Sequence, residues 1–398
     1  MTFPFDPEER GPLADPVGSG PVRRPAPYPV RPPPPQRPGP WRTVLIATLA
    51  ATVASAVTAL AFIWLGGDGG AAAHVTILER VETRIVDPAD SPSTAAAVAQ
   101  AVLPAIVTVE VSEGAGETFV ASSSGSGVVL DTAGLLVTNA HVVEGAAEVR
   151  VVFFDGRVYD AEVLGTDTLT DLAVLGIEAV GLTPITLGAS SDLAIGDTAI
   201  AVGSPLGLGG GPSVTVGVLS ALERRVRTGA DFELFGMLQT DAPITRGSSG
   251  GALVDTQGRL IGITTAIGVS DVGAEGLGFA IPVELVTRVT DDIIAGGSTR
   301  HAFLGITGDT FFAREADGAL APSGVVVGTI IEDSAAEAAG LEPGDLILSF
   351  DGTGVTTMEG LIVALRLYRV GDTVTFSIER AGEVSDLPIE LLERPEGI

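Results

Sequence analysis

The chain has 398 residues, of which 45% are hydrophobic, and its 22 basic and 50 acidic side chains give a formal net charge of −28. It contains no cysteine, which excludes disulfides, thiolate catalysis and cysteine-rich metal sites. The negative charge argues against nucleic-acid binding, because that function depends on a basic surface.

The first 43 residues are rich in proline, glycine and arginine and include four consecutive prolines at 32–35. Such a segment buries too little apolar surface to offset the entropy lost on ordering. We therefore predict a disordered tail over 1–43.

An uncharged apolar stretch of 22 residues follows, from Val44 to Leu65. As a helix it would be about 33 Å long, which is enough to cross the hydrocarbon core of a bilayer. A signal peptide is the alternative, but the run is long, starts far into the chain and has no clear A-x-A-like site after it. Five arginines between 23 and 42 place the N-terminus in the cytoplasm by the positive-inside rule. We expect a single-pass protein of the cell membrane with a linker over 66–92 and an extracytoplasmic remainder.

Residues 93–292 consist of short β-like runs separated by glycine and aspartate turns, a pattern typical of two-sheet or double-barrel proteins. The clearest runs are 105–111, 127–130, 135–139, 149–154 and 198–203. A Gly-Gly-Ser boundary near 293–300 precedes a region that mixes strands with helical patterns at 334–339 and 357–367. We predict a second domain over 300–396, which is a common domain size.

A candidate catalytic base and its carboxylate lie in the first of these domains. His141, one of three histidines, follows a predicted strand in TNAHVV at 138–143. A histidine that merely bonds a backbone carbonyl at a helix start is the alternative. Asp171 opens the buried strand in TDLAVL at 170–175. Asp167 is its natural rival, but it lies in a Gly-Thr-Asp turn and is better interpreted as turn-forming.

A candidate nucleophile, Ser249, lies in GSSGG at 247–251 and is followed at once by the strand ALV. A tight glycine turn can hold a serine hydroxyl outward and aim backbone N–H groups at an oxyanion. A flexible loop is the alternative for such a cluster, and the adjoining strand argues against it. We expect the oxyanion donors to be the N–H groups of Gly247 and Ser249, with Ser248 helping.

These three residues together are suited to nucleophilic catalysis by a serine. A serine hydroxyl needs a base, and a histidine base needs a carboxylate that fixes its tautomer. The chain order His141, Asp171, Ser249 is that of chymotrypsin-type double β-barrels and differs from those of subtilisins and α/β-hydrolases. The sequence therefore predicts a serine endopeptidase. No metal or cofactor is expected, because no carboxylates cluster with histidine at a suitable spacing.

Residues 95–395 resemble the HtrA/Deg family of trypsin-like serine proteases with a C-terminal PDZ domain, in the membrane-anchored layout of actinobacterial members. The supporting motifs are GSGVV at 125–129, TNAHVV at 138–143, TDLAVL at 170–175, GSPLGL at 203–208, GVLSAL at 217–222 and GFAIP at 278–282. The fold implied is mainly β: a chymotrypsin-like double β-barrel and an α+β PDZ domain, preceded by a single transmembrane helix.

The resemblance also implies roles and partners. His141 would be the general base, Asp171 its orienting carboxylate and Ser249 the nucleophile of an acyl-enzyme mechanism. Protein or peptide substrates, either misfolded or signalling proteins, and a homotrimer are expected. Two positions depart from the family: Ser248 stands where asparagine is common, and Arg246 where proline is common. The second departure leaves the resting conformation of the oxyanion loop open.

Part of the specificity pocket can be predicted from the sequence. Trypsin has an acidic residue six positions before the nucleophile, and here that position is Pro243, followed by Ile244. We expect a small apolar pocket and cleavage after residues such as valine or alanine. Thr264, Thr265 and Ala266 are expected to form the rim that pairs with the substrate backbone as an added strand.

The terminal domain resembles a bacterial PDZ module. Phe303, Leu304, Gly305 and Ile306 match the loop whose backbone N–H groups receive a peptide C-terminus, and 361–365 would line the opposite side. The alternative is that Leu304 and Ile306 are only core residues of a strand. For the whole protein, the alternative function is a catalytically silent PDZ chaperone or adaptor, which intact His141, Asp171 and Ser249 disfavour.

Overall fold

The structure is a computed structural model that describes residues 93–114, 119–204, 211–228, 232–265 and 277–395. The predicted tail (1–43), transmembrane helix (44–65) and linker (66–92) lie outside these residues. Within the described ranges, no helix is both long and apolar enough to cross a membrane.

Six antiparallel strands close into a first β-barrel in the order β1-β2-β3-β6-β5-β4. Its strands are β1 (Ile106–Ser112), β2 (Ser123–Val129), β3 (Leu135–Thr138), β4 (Glu148–Phe153), β5 (Val158–Asp167) and β6 (Leu172–Ile177). Valine, leucine and isoleucine dominate β1 and β6 and are buried there, because β-branched and aliphatic side chains pack well on a pleated surface.

Seven further strands form a second sheet in the order β11-β8-β9-β10-β13-β12-β7. The pairing of β11 with β12 closes six of them into a second barrel, and β7, which is parallel to β12, lies outside the ring. The seven strands are β7 (Thr186–Leu187), β8 (Thr198–Gly203), β9 (Ser213–Thr228), β10 (Phe232–Thr240), β11 (Ala252–Val254), β12 (Arg259–Thr265) and β13 (Gly278–Pro282). Three helices accompany the barrels: α1 (Thr94–Val102, continued by a 3₁₀ turn over Leu103–Ala105), α2 (Ala140–Val143) and α3 (Val283–Gly296).

An α+β domain follows α3 and has its own hydrophobic core around Phe376, Ile347 and Leu361. Its main sheet has the order β15-β16-β17-β19-β20, β18 pairs with β17, and β14 pairs with β21. The strands are β14 (Ala302–Phe303), β15 (Ile306–Arg314), β16 (Leu320–Ile330), β17 (Leu346–Phe350), β18 (Thr353–Gly354), β19 (Thr373–Arg380), β20 (Glu383–Glu390) and β21 (Leu392–Glu393), and the helices are α4 (Ala335–Ala339) and α5 (Met358–Leu365).

Two β-barrels built mainly from antiparallel strands, followed by an α+β domain, confirm the mainly β architecture predicted from the sequence. The domain limits of 93–292 and 300–396 stay predictions.

Candidate active site

Strand pairing brings His141 and Asp171 together. β3 and β6 are antiparallel, with Thr138 opposite Ala173, so the end of β3 lies beside the start of β6. His141 comes just after β3 and Asp171 just before β6. Nδ1 of His141 lies 2.9 Å from both carboxylate oxygens of Asp171. Because Nδ1 faces the carboxylate, Nε2 is the ring nitrogen that can accept a proton from a serine.

The Asp171 carboxylate is almost fully buried, and its surroundings supply donors, as a buried charge requires. Oδ1 accepts the backbone N–H of His141 at 3.1 Å, and Oδ2 accepts the hydroxyl of Thr265 at 3.2 Å. The Asp171 carbonyl accepts hydrogen bonds from the Asn139 side-chain amide at 2.9 Å and the Ala140 N–H at 3.2 Å. These contacts hold Asp171 at a φ of +58°, which is unusual for a residue with a side chain.

Two consecutive glycine turns hold the backbone around Ser249. The turn over 245–248 closes with a 2.9 Å hydrogen bond, and Gly247 occupies its third position at a φ of +90°. The turn over 248–251 closes at 3.0 Å, with Gly250 at a φ of +84°. A positive φ at the third position of a turn favours glycine. The backbone path therefore requires the glycines at 247 and 250 of the GSSGG motif.

Ser126 of the first barrel attaches to this loop of the second. Its backbone N–H donates to the carbonyl of Ser249 at 2.7 Å, and its hydroxyl donates to the carbonyl of Gly247, also at 2.7 Å. The same hydroxyl accepts the backbone N–H of Ser204 at 2.7 Å. We assigned no role to Ser126 from the sequence, although it is the serine of the GSG motif at 125–127.

The loop of Ser249 contacts the segment that carries His141. A Cβ at Gly250 would lie 3.2 Å from the backbone nitrogen of Asn139, and one at Gly125 would lie 2.7 Å from Val142 and 3.2 Å from the Ser249 carbonyl. Only glycine fits between these segments. The structure thus places the loop of Ser249 beside the segment that carries His141, at the junction of the two barrels.

Our expectation of which N–H groups donate to the oxyanion needs one correction. The backbone N–H of Ser248 donates to the carbonyl of Thr245, since it closes the first glycine turn. This N–H is therefore not directed at a substrate, and Gly247 and Ser249 remain the candidate donors.

The predicted specificity residues separate into different places. Pro243 and Thr264 line a cavity of about 180 Å³ whose other walls are small side chains. Ile244 instead packs toward Gly278, where a Cβ would lie 2.6 Å from its Cδ1. Thr265 turns to Asp171, because successive residues of β12 face opposite sides. Ile244 and Thr265 therefore do not line this cavity, and Ala266 lies outside the described residues. The pairing of this rim with a substrate backbone stays a prediction.

Several hydroxyl groups surround this cavity, a feature not expected from the sequence. Ser213, Thr215, Thr245 and Ser248 line it together with Thr264. The Thr264 hydroxyl is already committed to the carbonyl of Ser248 at 2.6 Å. This cavity is therefore more hydroxylated than the apolar pocket that the sequence suggested.

The four residues of the predicted peptide-binding loop lie together in the terminal domain. Phe303, Leu304, Gly305 and Ile306 line a cavity of about 250 Å³ opposite α5. The carbonyl of Leu304 accepts the N–H of Ala336, and that of Gly305 accepts the N–H of Ile331, both at 2.8 Å. These bonds fix the loop against the segment that leads into α4.

The rival carboxylate, Asp167, links the two domains. Oδ1 of Asp167 lies 2.9 Å from Nε2 of His301, and Oδ2 accepts the hydroxyl of Thr170 at 2.5 Å. Burial acts to raise the pKa of Asp167, but the hydrogen bond and charge of His301, with the help of Thr170, outweigh it and lower that pKa.

Comparison with known proteins gives matches in both domains. The trypsin-like peptidase domain family matches residues 125–263, and the PDZ domain family matches 287–391. A probable periplasmic serine endoprotease, DegP-like, of Chlamydia trachomatis is 39% identical over 278 residues, which are 68% of this chain and 54% of that protein. The chain thus spans about half the length of this curated relative.

Two further similar proteins are covered more fully. The putative serine protease HhoA of Synechocystis is 37% identical over 290 residues, 68% of each protein. The structure of the HtrA-type protease AlgW with a tripeptide superposes with a TM-score of 0.63 at 35% identity, covering 76% of this chain and 97% of AlgW. The chain therefore belongs to the HtrA/DegP family of trypsin-like serine proteases with a single C-terminal PDZ domain.

Proposed function

We propose that this protein is a serine endopeptidase that cleaves peptide bonds through an acyl-enzyme. His141 is the general base, Asp171 holds its ring, and Ser249 attacks the scissile carbonyl. The observation that carries the proposal is the contact of 2.9 Å between His141 Nδ1 and a buried Asp171, beside the glycine turns around Ser249.

The reaction runs in two stages. Nε2 of His141 takes the Ser249 proton while Oγ bonds to the carbonyl carbon, and the oxyanion is stabilised by the N–H groups of Gly247 and Ser249. His141 then returns the proton to the leaving amine. Water, activated by the same histidine, hydrolyses the ester and frees Ser249.

The terminal domain binds peptide C-termini by strand addition. β15 is the edge strand of its sheet and starts beside the loop at 303–306, with α5 on the other side of the cavity. A peptide extending β15 would end at the loop N–H groups. Misfolded or signalling proteins with accessible termini are the proposed partners and substrates.

The same proposal covers location and assembly. Segment 1–43 is a cytoplasmic tail, 44–65 a membrane-spanning helix and 66–92 a linker. The protease domain (93–292) and PDZ domain (300–396) then lie outside the cytoplasm, in a homotrimer. The apolar run and the arginine bias before it support the anchor, and the periplasmic name of the Chlamydia relative supports the location.

The test is labelling with a fluorophosphonate probe, together with digestion of unfolded casein. The full chain should form an adduct that maps to Ser249 and should degrade casein, whereas Ser249→Ala should do neither. Ser385→Ala, an exposed serine on β20, is the matched control and should behave as the parent protein. Failure of the parent to label or digest, with peptides of varied C-termini present as activators, would favour the silent adaptor instead.

A further inference from the structure

An arginine is buried at the loop end of the PDZ cavity. Arg366 follows α5 directly and is only 8% exposed. The first residue of α5, Met358, donates its N–H to the Thr310 hydroxyl at 3.1 Å, further along β15. The other end of α5 therefore lies toward the loop at 303–306, where the terminus of an added strand would sit.

This guanidinium lacks the partners that a buried cation normally has. Nη1 of Arg366 is buried without a hydrogen-bond partner among the described residues. Burial lowers the pKa of Arg366 to about 10, and the charge of Asp167 only partly opposes that effect. A buried charge is costly unless it is paired, so this position favours an incoming anion.

The composition of the whole cavity also favours an anion. Two arginines, Arg366 and Arg394, line it together with His301, which is paired with Asp167, and none of its described lining residues is acidic. This composition contrasts with a chain in which acidic residues outnumber basic ones by 50 to 22. Leu304, Leu361 and Leu365 provide apolar walls beside the basic end.

A residue of the protease domain positions the arginine. The Phe235 ring of β10 lies 5.1 Å from Cζ of Arg366, within cation–π distance. Phe235 and Leu169 also line the cavity, so its wall comes from both domains. Stacking on a ring fixes the guanidinium plane while leaving its N–H edge available to a ligand.

We propose that Arg366 binds the α-carboxylate of a peptide whose last side chain is apolar, in concert with the N–H groups of the loop at 303–306. This inference rests on the proposed binding of peptide C-termini and adds the residue that selects for a free terminus. A charge-assisted bond in a desolvated site is stronger than a neutral one, so an amidated terminus loses this contribution.

The experiment compares two fluorescein-labelled decapeptides that end in Val-Val, one with a free carboxylate and one with a carboxamide. They are titrated against the full chain in the Ser249→Ala background, which prevents cleavage. We expect the free acid to bind about 10- to 100-fold tighter. In Arg366→Met this ratio should fall to about threefold or less while carboxamide affinity stays unchanged. Arg259→Met, at an exposed site on β12 of the protease domain, should keep the parent ratio.

The outcomes separate the two proposals. Binding of neither peptide by the parent would refute PDZ peptide binding altogether. If Arg366→Met keeps the full preference for the free acid, only the role of Arg366 is refuted. Equal loss of affinity for both peptides would also refute that role, because it indicates a purely structural stacking role. If Arg366→Met does not fold, the neutral Arg366→Gln carries the same comparison. In the parent, added NaCl should weaken the binding of the free-acid peptide and leave the binding of the carboxamide peptide unchanged. Equal effects on the binding of both peptides would contradict the inference.

Discussion

The side-chain amide of Asn139 donates a 2.9 Å hydrogen bond to the backbone carbonyl of Asp171, and both residues are buried. Asp171 has a positive φ, a conformation that costs about 1–3 kcal/mol for a residue with a side chain. Asn139 is the only asparagine in the chain. Its bond offsets part of that cost at the residue that orients the proposed catalytic base.

Replacement of Asn139 by alanine should impair turnover more than substrate binding. Without the amide, Asp171 can relax its backbone and draw its carboxylate away from His141. We expect kcat to fall by about 10- to 100-fold and KM to change by less than about twofold. Steady-state cleavage of a fluorogenic peptide measures both. A lowered Tm with unchanged kcat would mean that Asn139 only supports the fold.

Gly250→Ala should disable the Ser249 loop. Its new Cβ would collide with the Ser126 carbonyl and the Thr138 hydroxyl, and the backbone would remain at positive φ. The control is Gly145→Ala, which has a φ of +70° but no atom within 4 Å of the added Cβ. The control isolates the backbone cost of placing alanine at a positive φ, which is about 1–2 kcal/mol.

We expect fluorophosphonate labelling to be lost in Gly250→Ala and kept in Gly145→Ala. Thermal unfolding of both variants should show the larger loss of Tm for Gly250→Ala. Equal losses would contradict the tight packing of Gly250 against the first barrel.

Arg246→Pro should stiffen the oxyanion loop. Arg246 is exposed and occupies the second position of the turn over 245–248, where proline is favoured because its fixed φ suits that position. We expect stabilisation by about 0.4–1 kcal/mol through the unfolded state, and a higher kcat/KM if the turn is otherwise mobile. Arg246→Ala separates loss of the guanidinium from gain of the ring. A decrease in Tm would show that the turn cannot accept proline.

Local sequence signals were enough to nominate the three candidate catalytic residues. His141, Asp171 and Ser249 each stand where a strand meets a turn, and their order along the chain indicated the double barrel. The bonds from Ser126 to the Ser249 loop could not be predicted, because they join residues more than a hundred positions apart in different barrels. The turn of Thr265 toward Asp171 likewise depends on which face of β12 closes on the first barrel.

The contact between Asp167 and His301 was also beyond the sequence, since it spans 134 positions and two domains. The sequence placed Asp167 in a Gly-Thr-Asp turn, but Gly165 and Asp167 belong to β5. Asp167 ends that strand and accepts the Leu169 N–H at 3.2 Å, where the next turn begins. No local pattern indicated that the other domain reaches the same carboxylate.

His301→Gln should lower the stability of the protein at neutral pH. In acid, the same substitution should have a much smaller effect. The folded-state pKa of Asp167 is lowered from its ordinary value of 3.8, with burial opposing and His301 driving the shift. Its ionised form is therefore favoured in the folded state, and the resulting stability is present above the unfolded pKa and lost as pH falls through the folded pKa. The difference in Tm between parent and variant should be largest near neutrality and should narrow at pH values below about 4. Calorimetric scans of both proteins across this range measure it. A difference that stays constant into strong acid would mean that His301 stabilises the domain contact by packing alone.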